Sequence, residues 1–218
     1  MKPEEIEEAI LLLERAVTAW KTPAVTIVSQ RDKDPFKVLI SCLLSLRTKD
    51  TTTGPAADRL FALADNPAKM ALLDVGRIEE AIYPVGFYRN KARQIIDISG
   101  ELVEKYSGRV PRSIDELLLF KGVGRKTANL VVTLGYGDPG ICVDTHVHRI
   151  CNRWGYVDTK TPEETEFRLR KLLPPKYWLR INDLLVAYGQ NLCKPVSPFC
   201  SQCTLSHLCE RRAVLSSR

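Results

Sequence analysis

Phe120-Lys121-Gly122-Val123-Gly124-Arg125-Lys126-Thr127-Ala128-Asn129 places two glycines around a small apolar residue, with an Arg-Lys pair at the mouth of an apolar run. Ahead of it, Ser113-Ile114-Asp115-Glu116-Leu117-Leu118-Leu119-Phe120 reads as a short helix that Ser113 can cap, with acids in its first turn. Behind it, Ala128, Leu130, Val131, Val132 and Leu134 suit a buried helix ending at Gly135 or Gly137. The unit is helix, Gly-x-Gly turn, helix. Glycine permits positive φ and leaves the backbone uncovered, so amides at the second helix's N-terminus can close around a phosphate oxygen. An ordinary helix-helix corner carries the same signature. The turn alone does not decide between them.

Helical patterning extends in both directions. Ile6, Ala9, Ile10, Leu13, Ala16, Val17 and Trp20 mark one apolar face of a first helix that Thr22-Pro23 stops. After the polar connector 30–35, a second helix from Phe36 carries Leu39, Ile40, Leu43 and Leu44 toward a core. Short helices are expected over 51–64, 67–73 and 76–83, then a tight turn at Pro84-Val85-Gly86-Phe87-Tyr88. Asn90 caps a longer helix with Ile95, Ile98 and Leu102 on its apolar face, closed by Gly108. Beyond Pro139, helices are expected over 143–154, 162–173 and 177–191. The best β-branched run is only Ala24 to Val28, so the expected class is all-α.

A chain of 218 residues can bury one large or two modest cores. Its 32 basic against 26 acidic residues give a net charge of +6, which permits a polyanionic partner without requiring one. No apolar run approaches the ~20 residues of a membrane span, and the N-terminus opens an acidic amphipathic helix rather than a signal peptide. The expectation is an intracellular, cytoplasmic protein, nucleoid-associated in a prokaryote, with no membrane association.

In such a compartment seven cysteines do not suggest disulfides. Cys193, Cys200, Cys203 and Cys209 are spaced C-x6-C-x2-C-x5-C in the last 26 residues, a set that can wrap one iron-sulfur cluster or tetrahedral zinc. Zinc sites more often come as two close pairs, and only one short gap occurs here. Spacing favours the cluster and leaves zinc open. Cys42, Cys142 and Cys151 lie in apolar helical contexts and read as small core residues. His207 lies within the tail, but four cysteines already complete the set, so it reads as a surface residue or as one that supports a ligand.

The hairpin, the Val143-Asp144-Thr145-His146 segment and the four-cysteine tail together resemble the endonuclease III family, the iron-sulfur branch of the helix-hairpin-helix DNA glycosylases. The likeness runs from the Leu43-Leu44-Ser45 and Thr48/Asp50 region to Cys209. It implies a helical barrel over 28–138 that includes the helix-hairpin-helix at 113–136. It also implies a second domain, 1–27 with 139–218, holding a [4Fe-4S] cluster on the four cysteines. It further implies a monomer acting on double-stranded DNA with damaged or abasic sites, removing oxidised pyrimidines and nicking the strand by β-elimination.

By this resemblance Lys126 is the amine nucleophile, and its helix N-terminus and Arg125 neighbour would favour the uncharged form. Asp144 is the catalytic carboxylate, a role compatible with capping the helix at Thr145. Gly122 and Gly124 would hold phosphate, with Lys121, Arg125, His146 and Lys194 as further DNA contacts and Arg149 or Arg153 as added charge. Phe87 and Arg47 match the family's wedge positions, where Leu and Gln are usual, and Asp50 lies near the pocket or caps a helix. Arg47, Lys121 and His148 depart from the family pattern and put substrate preference in question. Two other readings remain: a monofunctional glycosylase for mismatched adenine or thymine, which usually lacks the hairpin lysine, and a non-catalytic DNA-binding module with a cluster or zinc.

Overall fold

The computed structural model describes residues 1–18, 20 and 33–218. Among these the α-helices are α1 (Ile6–Val17), α2 (Pro35–Ser45), α3 (Asp50–Leu63), α4 (Pro67–Ala71), α5 (Val75–Ile82), α6 (Tyr88–Tyr106), α7 (Ile114–Leu117), α8 (Arg125–Leu130), α9 (Thr145–Trp154), α10 (Pro162–Leu172) and α11 (Ile181–Asn191). The described residues contain no strand, so the chain is all-α; the 24–28 run and the Thr22-Pro23 stop lie outside them. No described helix is long and apolar enough to cross a membrane. The chain forms two compact units, Met1–Pro23 with Ile141–Arg218, and Ala24–Gly140.

In the unit Ala24–Gly140, α2 is the hub. Asp34 starts it by accepting the Phe36 amide at 2.8 Å, with Pro35 at the first helical position where its missing N–H costs nothing. Phe36, Val38, Leu39, Ile40, Cys42, Leu43 and Leu44 are all buried, so apolar surface covers the helix on every side. Around it pack α3, α6, α8 and the π-helical turn Val131–Gly135. α4 and α5 lie against α6, each started by a side-chain cap: Asn66 on the Lys69 amide and Asp74 on the Gly76 amide.

In the other unit, α11 packs against α1 and α9. Ile6, Ala9, Ile10 and Leu13 of α1 meet Val147, Ile150, Cys151 and Trp154 of α9 in one core that also takes in Tyr188 and Leu205. Partly buried Leu208, Cys193, Cys203 and Cys209 pack on its edge. The cysteine-rich tail is thus an extension of this core. Cys42, Cys142 and Cys151 are buried to 2% exposure or less, as their apolar contexts suggested.

Several boundaries differ from the sequence expectations for identifiable reasons. α6 begins at Tyr88 with Phe87 as its N-cap in left-handed conformation, so Asn90 lies inside the first turn and caps nothing. Ser113 stands at the N-cap of α7 without a capping bond from its side chain, and α7 is only four residues long. Asp50 is the first residue of α3, whose N-cap is Lys49. Beyond the hairpin the α-helix ends at Leu130 and widens into the π-helical turn, where Thr133 Oγ1 donates to the carbonyl of Asn129 at 2.8 Å. The run 177–191 divides into a 3-10 turn, Pro175–Tyr177, and α11.

Removing a hub side chain should therefore be costly. Leu39→Ala, at a fully buried position, is expected to lower unfolding stability by about 2–5 kcal/mol, read from urea or thermal denaturation.

Candidate functional site

The hairpin is built as its glycines require. Val123 N donates to Phe120 O at 3.0 Å to close the turn, and Gly122 sits at φ 81, in the left-handed region. Gln94, from α6, donates from Nε2 to Lys121 O at 2.7 Å, and a Cβ on Gly122 would collide with its side-chain amide. Gly124 is the N-cap of α8, so Arg125 and Lys126 are its first two residues. Lys121, Gly122, Gly124 and Lys126 are exposed, while Thr127, Ala128, Asn129 and Leu130 are buried. The turn thus presents bare backbone and basic side chains on a buried foot. Beside it, Asn90, Arg93, Gln94, Asp97, Glu101, Lys121 and Gly122 line an open, mixed-charge depression.

Lys126 lies close enough to the hub for its charge to reach Cys42. Burial pushes that thiol up to about 12, and the lysine's positive charge acts against the shift.

The same unit holds both suggested wedge residues, and they form one cluster. Arg47 (φ 54) and Phe87 (φ 58) both adopt left-handed conformations that cost a non-glycine residue about 1–3 kcal/mol each. The Arg47 guanidinium carbon lies 5.6 Å from the Phe87 ring centroid, within cation-π range, and the ring is 60% exposed. Thr48 Oγ1 accepts the Gly86 amide at 3.1 Å, and a Cβ on Gly86 would come within 2.7 Å of Arg47 O. Only glycine lets these two turns approach so closely.

Lys91 ties them from below, a residue that the sequence reading passed over. Its Nζ donates to Leu44 O at 2.9 Å, Leu46 O at 2.6 Å and Thr48 Oγ1 at 3.2 Å. Burial pushes this ammonium down to about 8. The signal was present: Lys91, Ile95, Ile98 and Leu102 share the buried stripe of α6, and a lysine on such a stripe must be held by acceptors.

In the other unit Asp144 is the N-cap of α9. It is 9% exposed, and its Oδ1 accepts the amides of His146 at 2.8 Å and Val147 at 3.0 Å. His146 Nδ1 and Arg149 Nη2 are 3.1 Å apart. His148, one of the departures from the family pattern, pairs through Nδ1 with Thr165 Oγ1 at 2.7 Å, and Asn152 and Thr159 complete an internal network. Burial pushes its imidazole below the ordinary value. The substitution is accommodated inside the unit.

Cys193, Cys200, Cys203 and Cys209 all line one small cavity with Trp154, Leu192, Pro198, Phe199 and Val214. Donors face three of the sulfurs: Arg153 Nη1 to Cys193 at 3.4 Å, the Arg211 amide to Cys209 at 3.4 Å, and Tyr188 OH in contact with Cys203 at 2.9 Å. Arg153 also donates to Lys194 O at 2.7 Å and Pro195 O at 2.6 Å, and Arg149 to Cys193 O at 2.9 Å. Arg153, only 7% exposed, therefore holds the cysteine loop and is not added surface charge; Arg149 turns inward with it. Lys194 lies with Nζ 5.2 Å from the Phe199 ring centroid. His207 faces Glu8 at 3.3 Å on the surface. As placed, no three His, Cys, Asp or Glu side chains among the described residues could hold a single metal ion.

Comparison with known proteins bears directly on this arrangement. Residues 40–175 match the model of the HhH-GPD superfamily base excision DNA repair protein. Endonuclease III of Thermotoga maritima is 49% identical over 182 residues, which cover 84% of this chain and 85% of that protein. A solved non-covalent endonuclease III-DNA complex superposes with a TM-score of 0.85 at 33% identity, covering 97% of this chain and 96% of that one. A trapped endonuclease III-DNA covalent intermediate, an estranged-adenine complex, gives 0.80 at 33% identity and 97% coverage of both.

Cys42 and Cys151, both shifted up to about 12, should stay as thiols and resist alkylation. Iodoacetamide at about pH 8, roughly four units below either value, is expected to modify them only after denaturation, as read by peptide mass mapping. Labelling of the native protein at the denatured rate would contradict their burial.

Proposed function

This chain belongs to the HhH-GPD superfamily of base excision DNA repair proteins, and we propose that it works in base excision repair as an endonuclease III. It is a DNA glycosylase and abasic-site lyase. Its substrate is double-stranded DNA carrying an oxidised pyrimidine or an abasic site, met by a monomer at the chromosome. The observation that carries the reading is the exposed residue Lys126 in the first turn of α8, one residue beyond a Gly-x-Gly turn with open backbone.

In this reading Gly122 and Gly124 offer amides to a phosphate oxygen, and Lys121 and Arg125 add charge beside them. His146 and Lys194 supply further contacts to DNA. Phe87 and Arg47 fill the stack vacated by the extruded base. Lys126 attacks the sugar C1′ as a neutral amine, and the base leaves with the electron pair of the glycosidic bond and takes up a proton. Ring opening leaves a Schiff base between Lys126 and C1′. Loss of a C2′ proton then expels the 3′ phosphate, and water releases the lysine. The Asp144 carboxylate stabilises cationic character at the sugar and assists proton transfer, while its helix cap fixes its rotamer.

The four cysteines would hold a [4Fe-4S] cluster. Four soft sulfur donors line one mainly apolar cavity, and Arg153 Nη1–H, the Arg211 N–H and the Tyr188 hydroxyl face them as partners for thiolates. The group would brace the loop from Cys193 to Cys200, and with it Lys194. The excision itself belongs to the side chains.

Borohydride trapping on an abasic duplex tests the chemistry. A covalent adduct is expected for the native protein and none for Lys126→Gln; DNA binding without any native adduct would overturn the lyase reading. Asp144→Asn keeps the capping oxygen and removes the charge, so stability should change by less than about 1 kcal/mol while excision falls by about 10²–10⁴-fold. A panel of oxidised pyrimidines against each opposite base, comparing native protein with Arg47→Gln, is expected to show a changed opposite-base dependence. An unchanged profile removes Arg47 from recognition.

A further inference from the structure

Lys91 is 6% exposed, and its Nζ bonds three neutral oxygens, one for each ammonium proton. Two of them, Leu44 O and Leu46 O, belong to the carbonyls that the end of α2 leaves without intrahelical partners. Capping a buried helix would need no more than these. The third bond goes elsewhere. Thr48 Oγ1 accepts Lys91 on one side and the Gly86 amide on the other, so a single hydroxyl joins the 44–48 turn to the 83–88 turn. The backbone of Lys91 adds another tie, its N–H donating to Phe87 O at 3.1 Å. Arg47 stands between two residues that bond the ammonium, and Phe87 directly follows the glycine bonded to Thr48. Both prongs are in left-handed backbone conformations, which persist only where surrounding structure over-determines them.

We propose that Lys91 is a positioning residue for base extrusion, locking the Arg47 and Phe87 turns together so that both prongs enter the duplex as one rigid unit. This rests on the reading of Arg47 and Phe87 as the residues that fill the vacated stack. Lys91 touches neither substrate nor the reacting atoms. Its contribution falls on the step in which a stacked base is displaced and bypasses the step in which Lys126 attacks a sugar already lacking its base.

The test separates those steps. Lys91→Met keeps the length and apolar stem of the side chain and removes all three donors; Lys91→Arg restores donors in a different geometry. Thr48→Val removes only the leg between the turns and leaves Lys91 bonded to α2, so it serves as the second variant if Lys91→Met does not fold. Each is compared with native protein in single-turnover excision of an oxidised pyrimidine, with 2-aminopurine placed opposite the lesion to report unstacking. Borohydride trapping on a duplex with a preformed abasic site is measured in parallel. For Thr48→Val, and for Lys91→Met where it folds, excision and the fluorescence rise should slow by about tenfold or more, while trapping is little changed and Lys91→Arg recovers part of the loss. Equal loss in both assays, or no loss in either, overturns the proposal. Phe87→Ala is the control for the underlying reading. If it leaves unstacking intact, the wedge assignment falls; if it abolishes unstacking while Thr48→Val does not, the positioning role alone falls.

Discussion

Phe36 and Val38 to Leu44 of α2 are buried, and near the end of the helix the Leu44 carbonyl lies out of water. That carbonyl must find a donor within the protein or forfeit about 1–3 kcal/mol in unmet desolvation. The donor supplied is an ammonium from α6, itself drawn out of water and therefore dependent on the carbonyls of Leu44 and Leu46. Each side requires the other. The bond that completes the hub thus also fixes where the chain leaves it, and the turn carrying Arg47 inherits its position from a core requirement. α3, α8 and the hairpin pack on or follow from that hub.

The two halves of the proposed chemistry are supported in different ways. Lys126 is an exposed side chain on a buried foot, placed by glycines that keep the approach clear. Asp144 is nearly buried and held by two backbone amides. A nucleophile has to travel to its target atom, whereas an electrostatic group works best when it does not reorganise. The local folds match those demands. The cysteine tail follows a third pattern: its sulfurs sit on the edge of an apolar core, with arginine and tyrosine donors as the polar element of their surroundings.

Much of this was legible in the chain. Period-3.6 apolar spacing located most of the helices, because faces such as Ile6, Ala9, Ile10 and Leu13 must be buried to be stable. Asp144 read correctly as a cap because the signal is local. Signals that needed tertiary context misled. Asn90 resembles a cap, yet the helix starts two residues earlier, since the 83–88 turn is held by Thr48 from another element. Arg153 looked like surface charge in a basic protein, but the carbonyls of Lys194 and Pro195 draw it inward. Lys91 was hidden because a polar residue on an apolar stripe is usually discounted, when burial makes it the most constrained residue on that stripe.

The cap at Asp144 has a consequence for what position 144 can become. Capping alone would accept Asn, Ser or Thr, since each places an oxygen one or two bonds beyond Cβ, within reach of the second and third amides of the helix. A negative charge alone would accept Glu. Glutamate's additional methylene carries its oxygens past those amides, and the neutral caps carry no charge. Under the proposed role the two demands intersect at one amino acid, so sequence drift is closed here by helix geometry as firmly as by the chemistry of the sugar.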